Sequence, residues 1–350
     1  MAADVLKTTK NATRSALTTG RTVIGLDIGA HVAKAAICRR QHSGWDVLAV
    51  DTLRLNPGDT ADPETLGGRM VAWLKQMSGD LATHYAASLP SHFVDYETLE
   101  LPQPADYQQT ARLAMQELLG EDLEDVAYDF WTVEEGASDK LHLAWAMGSF
   151  ATSVTNQFAK RGLQCRGLDA PVAALARVKA GSPTADSRLI VDLGSGEATF
   201  VFSRSNQAHY FRNRIRVADR STAEMIAQRQ SISIEAAATL LSSHGIADPQ
   251  ANPLAALMHR ALEDWLHDLA FEIQRTSQFI LARWGSNAIE EIVICGGGAC
   301  IRGIDRHLAN QLDLPIRSAA ISTGWRWLAG QSYSPLFAQA LALVEYGAGA

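Results

Sequence analysis

Two stretches of this chain share a pattern that few folds accommodate: a buried-looking strand, an aspartate, a glycine two residues later, then a second strand. The first is TVIGLDIGAHVAKAAIC, Thr22 to Cys38, with Asp27 and Gly29 at the break. The second is RLIVDLGSGEATFVF, Arg188 to Phe202, with Asp192 and Gly194 in the same places. An aspartate at the end of such a strand is costly unless a cation or hydrogen bonds meet it. The glycine beside it lets backbone N–H groups converge with no Cβ in the way, which suits phosphate oxygens. Asp27 and Asp192 together suit a magnesium ion held through water, because Mg²⁺ gives up its waters reluctantly. A third stretch, EEIVICGGGACIRGI, runs from Glu290 to Ile304 and sets Gly296, Gly297 and Gly298 between a strand and a helix. That bend would let a flat purine lie against the backbone. Taken singly, each is an ordinary turn built from default turn residues. None is a dinucleotide fingerprint, since no G-x-G-x-x-G follows a strand.

The order of elements around the two aspartates repeats. After Thr22 the alternation predicts a strand, a second strand from Ala33 to Arg40, a turn at His42–Gly44 and a third strand from Trp45 to Leu53. After Arg188 the same three-strand order returns, ending in AHYFRNRIRV. The repeat is one of supersecondary structure, not of sequence. A length of 350 residues is comfortable for two cores. Between the halves, helical spacing of Leu66, Met70, Trp73, Leu74 and Met77 predicts a helix over 64–77, and HYAASLP reads as a strand. Residues 92–150 read as a small inserted module: an alternating strand, a helix capped by Asp106 and ended by Gly120, and a strand pair. A helix-rich insert follows the second meander, from Ser221 to about Trp284. Its last helix is expected to carry Leu254, Met258, Leu262, Trp265, Leu269, Ile273 and Ile280 on one face.

The bulk numbers exclude several classes. A formal charge of −7 argues against a chain whose main business is coating nucleic acid. Four cysteines, Cys38, Cys165, Cys295 and Cys300, form no CxxC pair and have no histidine at zinc spacing, so they read as buried free thiols in a reducing compartment. No stretch approaches the roughly 20 apolar residues of a membrane span. The first 21 residues carry Lys7, Lys10, Arg14 and Arg21 without the apolar segment of a secretory signal, and read as a loose tail. The expectation is a cytoplasmic protein.

Taken together, the three glycine turns resemble those of the actin-like ATPase superfamily, which includes actin, the 70-kDa chaperones, sugar kinases and FtsA. The resemblance runs from Thr22 to the C-terminus. It implies a two-lobed α/β fold of the ribonuclease H-like kind, with duplicated mixed β-sheet subdomains. It also implies ATP with Mg²⁺: Asp27 and Asp192 for the metal; Gly29, Ala30, His31, Lys34, Gly194, Ser195, Gly196 and Thr199 for phosphates; Gly296, Gly297 and Gly298 for adenosine. Within the superfamily the chain is similar to the PilM family of type IV pilus assembly. GLDIGAHVAKAA resembles its opening loop with the lysine at Lys34, and VDYETLELP resembles the strand that starts the inserted subdomain. GLDAPVAALARV resembles the connecting helix, and FEIQRTSQF resembles a Glu-x-x-Arg-Ser helix that places Glu272 and Arg275 toward ribose and adenine. The residues alone allow a plainer reading of Glu272 and Arg275, an ordinary surface pair one turn apart.

This resemblance implies a domain plan: a tail over 1–21, lobe I core over 22–91, inserted subdomain 1C over 92–150, the rest of 1A with the connecting helix over 151–186. Lobe II core 2A then takes 187–217 and 290–320, helical insert 2B takes 218–289, and 321–350 returns to 1A. It also implies a scaffold that binds ATP and the N-terminal peptide of a PilN-like inner-membrane protein beside the insert. Such a scaffold sits peripherally at the inner membrane through its partners, with self-association left open. The first turn departs from the family in having Ala30, His31 and Val32 where serines are usual, each missing hydrogen bond being worth about 1 kcal/mol. After Arg214 and Ile215 stand Val217, Ala218 and Asp219 in place of a Gly-Gly turn. Asp169 is followed by Ala170 and Pro171, so it is the one carboxylate there. It reads either as the base for an attacking water or, preferably, as a cap for the helix that Pro171 begins. At most a slow ATPase is expected. The alternatives are a sugar- or acetate-type kinase, for which no G-x-D or D-Q-G stands between Glu64 and Asp169, and an FtsA-like filament protein, whose amphipathic anchor LALVEYGAGA does not supply. A GspL-like secretion domain would need a membrane span after the fold.

Overall fold

A computed structural model describes residues 21–56, 59, 62–78, 84–103, 105–120, 123–136, 138–179, 185–246, 250, 252–321, 324–328 and 332–349. The expected tail over 1–21, with any weak membrane contact it makes, lies outside these residues except for Arg21. The chain divides into two units, one of Met1–Pro171 with Leu343–Ala350 and one of Val172–Ala342.

In the first unit, strands β1 (Thr22–Ile28), β2 (Val32–Gln41) and β3 (Gly44–Arg54) form an antiparallel meander, as their alternation predicts. β4 (His84–Ser88) and β8 (Gln164–Asp169) then add parallel strands, and these five strands of the unit lie in the order β3-β2-β1-β4-β8. Central β1 is buried from Val23 to Ile28, which is why it reads as a nearly continuous apolar run. Ile24, Leu26 and Ile28 pack with Leu66, Met70 and Leu74 of helix α1 (Pro63–Ser78) and with Phe150, Val154 and Phe158 of α3 (Gly148–Ala159). Gly347 meets Val23 and Ala86, and the Tyr346 ring lies over Gly167, so the end of helix α10 (Ala338–Gly349) packs closely on the same sheet. A small module is inserted between β4 and α3. In it β5 (Asp95–Pro102), β7 (Ser138–Met147) and β6 (Val126–Glu135) form an antiparallel sheet in that order. Helix α2 (Tyr107–Leu119) packs Ala111 and Met115 against Leu141 and Leu143. Asp106 caps α2 by accepting the Gln109 N–H, and Gly120 ends it at φ +97°.

The second unit repeats the plan. β9 (Ser187–Leu193), β10 (Glu197–Arg204) and β11 (Gln207–Arg216) form the meander, and the sheet reads β11-β10-β9-β12-β13. β12 (Glu291–Cys295) and β13 (Ile316–Ser318) are its parallel strands. The β10–β11 hairpin closes on Ser205 and Asn206, both left-handed at φ 49° and 62°, the geometry a two-residue turn between twisted strands needs. The connecting helix α4 (Pro171–Leu175) is short. Helices α5 (Thr222–Gln230), α6 (Ile234–His244), α7 (Pro253–Ala261) and α8 (Glu263–Trp284) come after the meander. Ser221 and Glu224 form a reciprocal capping box on α5, and Asn252 with Pro253 starts α7.

Two expectations are corrected. The last helix of this insert is two helices: the chain breaks at Leu262, whose N–H is shared between the carbonyls of Met258 and His259 at 3.1 Å each. Leu254 therefore sits on a separate, shorter helix and is exposed, while Met258, Leu262, Trp265, Leu269, Ile273 and Ile280 are buried. The triple-glycine bend does not lead straight into a helix either. It enters a single 3₁₀ turn over Gly298–Cys300 before α9 (Ile304–Leu312) begins.

Candidate functional site

Each unit places its aspartate at the C-terminal end of its central strand, the edge at which open α/β sheets present ligands. The two turns share the same backbone hydrogen bond. The Gly29 N–H donates to the Val32 carbonyl at 3.2 Å, and the Gly194 N–H donates to the Glu197 carbonyl at 2.9 Å. Asp27 stands opposite Lys34 on the neighbouring strand, and Asp192 stands opposite Thr199.

In the first unit, Lys34 Nζ lies 2.8 Å from Asp27 Oδ2, and the Ser88 hydroxyl donates to Asp27 Oδ1 at 3.3 Å. Both side chains of the ion pair are largely buried, at 15% and 9% exposed. The register continues outward: Ser88 is the partner of Asp27 across β1–β4 and of Asp169 across β4–β8. Asp27, Ser88 and Asp169 thus form a row of buried polar residues across three parallel strand ends. Sequence reading missed Ser88, and nothing in HYAASLP marks it. Asp169 closes β8, and its carbonyl accepts the Leu89 N–H at 3.3 Å. Ala170, not Asp169, adjoins the helix at Pro171. Ala30 and His31 are exposed at the tip of the turn, where the His31 carbonyl accepts the Leu55 N–H at 2.8 Å.

In the second unit, Gly194 and Ser195 are exposed, and Ser195 makes no hydrogen bond among the described residues. Gly196 has φ +84°, and a Cβ there would lie 2.8 Å from the Ala218 carbonyl. The N–H groups of Val217 and Ala218 both donate to the Gly196 carbonyl, at 2.9 and 3.0 Å. Val217 and Ala218 therefore anchor the second turn through its Gly196 carbonyl. Thr199 is buried and donates its hydroxyl to Asn213 Oδ1 at 3.1 Å. The triple-glycine bend packs against the end of β9. A Cβ on Gly296, at φ +81°, would overlap Asp192 Oδ1 and lie 2.8 Å from the Leu193 carbonyl. One on Gly298 would lie 2.7 Å from Leu193 Cβ. Two of the three glycines are thus demanded by the close approach of Asp192 and Leu193, and Gly297 is the one that stays exposed.

Glu272 and Arg275 share a face of α8, with Arg275 Nη1 3.6 Å from Glu272 Oε1. The pair is not an ordinary surface pair. Arg212 of β11 brings Nη1 to 2.6 Å from Glu272 Oε2, and these two side chains are only 16% and 15% exposed. Sequence reading missed Arg212, because a strand residue about sixty positions away leaves no local signal.

At the second turn the exposed Ser195 hydroxyl is of the chemistry that a phosphate oxygen accepts from, while the Gly194 N–H is already engaged by the Glu197 carbonyl. Among the described residues no three His, Cys, Asp or Glu groups converge on one point.

The family model of the type IV pilus assembly protein PilM matches residues 170–343. A search of curated proteins found no match. Among solved structures, one described as a PilM–PilN type IV pilus biogenesis complex matches at TM-score 0.72 with 19% identity, covering 93% of this chain and 98% of that one. The ethanolamine utilization protein EutJ from Carboxydothermus hydrogenoformans matches at TM-score 0.54 with 11% identity, covering 93% and 90%. Likenesses at this identity establish the fold. Among the described residues no helix is long and apolar enough to cross a membrane.

Proposed function

We propose that the chain is a PilM-like type IV pilus assembly protein of the actin-like ATPase superfamily, an ATP-binding scaffold that holds a PilN-like partner at the inner membrane; the family model over residues 170–343 and the likeness to the PilM–PilN complex support this reading. The observation that carries this reading is the pair of Asp-x-Gly hairpins with matching backbone hydrogen bonds, one in each unit. In this reading Gly29, Ala30, His31, Lys34, Gly194, Ser195, Gly196 and Thr199 serve the phosphates, and Asp27 and Asp192 serve a hydrated magnesium ion. Gly296, Gly297 and Gly298 border adenosine, with Glu272 and Arg275 toward ribose and adenine. Magnesium, when bound, supplies charge neutralisation for the phosphates. The chain's own residues bind and orient them.

In this reading the partner peptide binds beside the inserted module, residues 92–150, taken as subdomain 1C, with 22–91, 151–186 and the returning 321–350 as 1A, 187–217 and 290–320 as 2A, and 218–289 as 2B. The matched relative was described together with PilN, and this supports an N-terminal PilN-type peptide as the ligand here. Peripheral inner-membrane placement on the cytoplasmic side follows from that partner. Hydrolysis is slow or absent in this reading: Asp169 is the sole carboxylate offered as a base, it is buried, and Ala170 follows it. The test is titration of PilN-type N-terminal peptides into the full chain with and without Mg·ATP. Saturable binding that changes with nucleotide supports the scaffold. No affinity in either state removes the partner assignment.

A further inference from the structure

Strand β11 and helix α8 of the second unit meet along a seam of which the nucleotide reading uses the α8 residues Glu272 and Arg275 and nothing from β11. At one end Tyr210 lies against Phe279, ring centroids 4.6 Å apart. At the other end, two residues along the same strand face, Arg212 reaches Glu272 and Thr276. The Arg212 guanidinium also lies 5.6 Å from the Phe200 ring centroid, so β10 supports it from below.

The hydrogen bonds at this end have a direction. Arg212 Nη1 donates to Thr276 Oγ1 at 2.8 Å, and Thr276 Oγ1 donates to the Glu272 carbonyl at 2.7 Å. The 2.6 Å approach of Nη1 to Glu272 Oε2 is therefore a charge contact, not a well-aligned hydrogen bond, and Oε2 is sealed from solvent. One oxygen of the carboxylate is fixed in place by a buried cation. The other, Oε1, is presented on the side of Arg275, whose side chain is 63% exposed. An ionised carboxylate only accepts, so Oε1 can take a hydrogen bond from a donor on that side, and a pair of adjacent hydroxyls would supply one. Without Arg212, a largely buried Glu272 would lose its near cation and swing outward toward Arg275.

We infer that Arg212 is a positioning residue for nucleotide recognition: it pins Glu272 so that Oε1 accepts from the ribose hydroxyls. This rests on the nucleotide reading above and adds a residue from another element to it. Arg212 itself touches no ligand. It acts through Glu272, with Thr276 holding its guanidinium in register.

The test is a calorimetric comparison of Mg·ATP with 2′-deoxy-ATP and 3′-deoxy-ATP on the full chain. Wild type is expected to bind the deoxy analogues roughly tenfold more weakly, the size of a lost hydrogen bond to a charged group. Arg212→Gln is expected to bind ATP more weakly and to reduce that discrimination to within about twofold of unity. Glu272→Gln should lose the discrimination in the same way, and Arg212→Lys, which keeps the cation, should restore most of it. A purely structural clamp would lower the melting temperature of Arg212→Gln and weaken ATP and deoxy-ATP alike, leaving the ratio at its wild-type value, which overturns the inference. Wild type that binds ATP without discriminating the analogues also overturns it. Wild type that binds no ATP overturns the nucleotide reading itself.

Discussion

Lys34 and Asp27 hold each other's charge in a place where neither is well hydrated, so each has a structural cost apart from any ligand. Removing the cation by Lys34→Ala leaves a buried carboxylate with the Ser88 hydroxyl beside it. The expected loss is about 2 to 3 kcal/mol of unfolding free energy, read as a lower denaturant midpoint. An unchanged midpoint would mean that water reaches the Asp27 carboxylate once the lysine is gone. Gly296 is a second position fixed by its surroundings. Its φ of +81° and the overlap of any Cβ with Asp192 Oδ1 predict that Gly296→Ala costs about 2 kcal/mol or more and displaces the Asp192 carboxylate. Gly297→Ala, with only ordinary contact around it, should cost well under half of that on the same denaturant curve. Equal losses would put the close approach elsewhere in the bend.

At the scale of elements, α7 and α9 meet through His259 and His307, whose ring centroids lie 4.8 Å apart. Burial first, and the neighbouring His259 second, push the His307 imidazole below its ordinary value. The fold therefore favours the neutral ring. Below about pH 6.5 the unfolded chain takes up a proton that the folded chain resists, so stability is full above that pH and falls as acid is added toward the folded value. Thermal melts from about pH 7.5 to about pH 5.5 should show this fall, and His307→Gln should flatten it. A slope that the substitution leaves unchanged would assign the acid sensitivity to other groups. The elements themselves were mostly legible. The meanders, α1, the inserted strands and the Asp106 cap follow from alternation, 3.6-residue spacing and capping chemistry. The break at Leu262 was not, because no glycine or proline marks it and the apolar spacing from Met258 to Ile280 runs through it. The 3₁₀ turn at Gly298–Cys300 escaped for the opposite reason: three glycines announce a bend but leave the type of the next turn open.

At the scale of the whole molecule, the duplication was visible because two aspartates and two glycines kept their spacing from strand to strand, although little else did. Contacts between distant segments were beyond the reach of any sequence pattern. Arg212 on Glu272, Ser88 between Asp27 and Asp169, and the Val217–Ala218 N–H groups on the Gly196 carbonyl all join residues that no local spacing links. Each sits on a position the sequence had already marked, so the third dimension adds supporting residues to the site. Everything proposed here depends on these turns being phosphate loops of an ATP-binding chain. Thermal unfolding of the full chain in rising Mg·ATP tests that dependence with no partner or substrate assumed. A ligand that binds only the folded state stabilises it by about 2.7 kcal/mol at a hundredfold excess over its dissociation constant. The wild-type melting temperature should climb with each tenfold step in ATP. Asp192→Asn should melt near the wild-type temperature without ATP and show no climb with it. A wild-type melting temperature that stays flat into the millimolar range would mean that the turns bind no nucleotide.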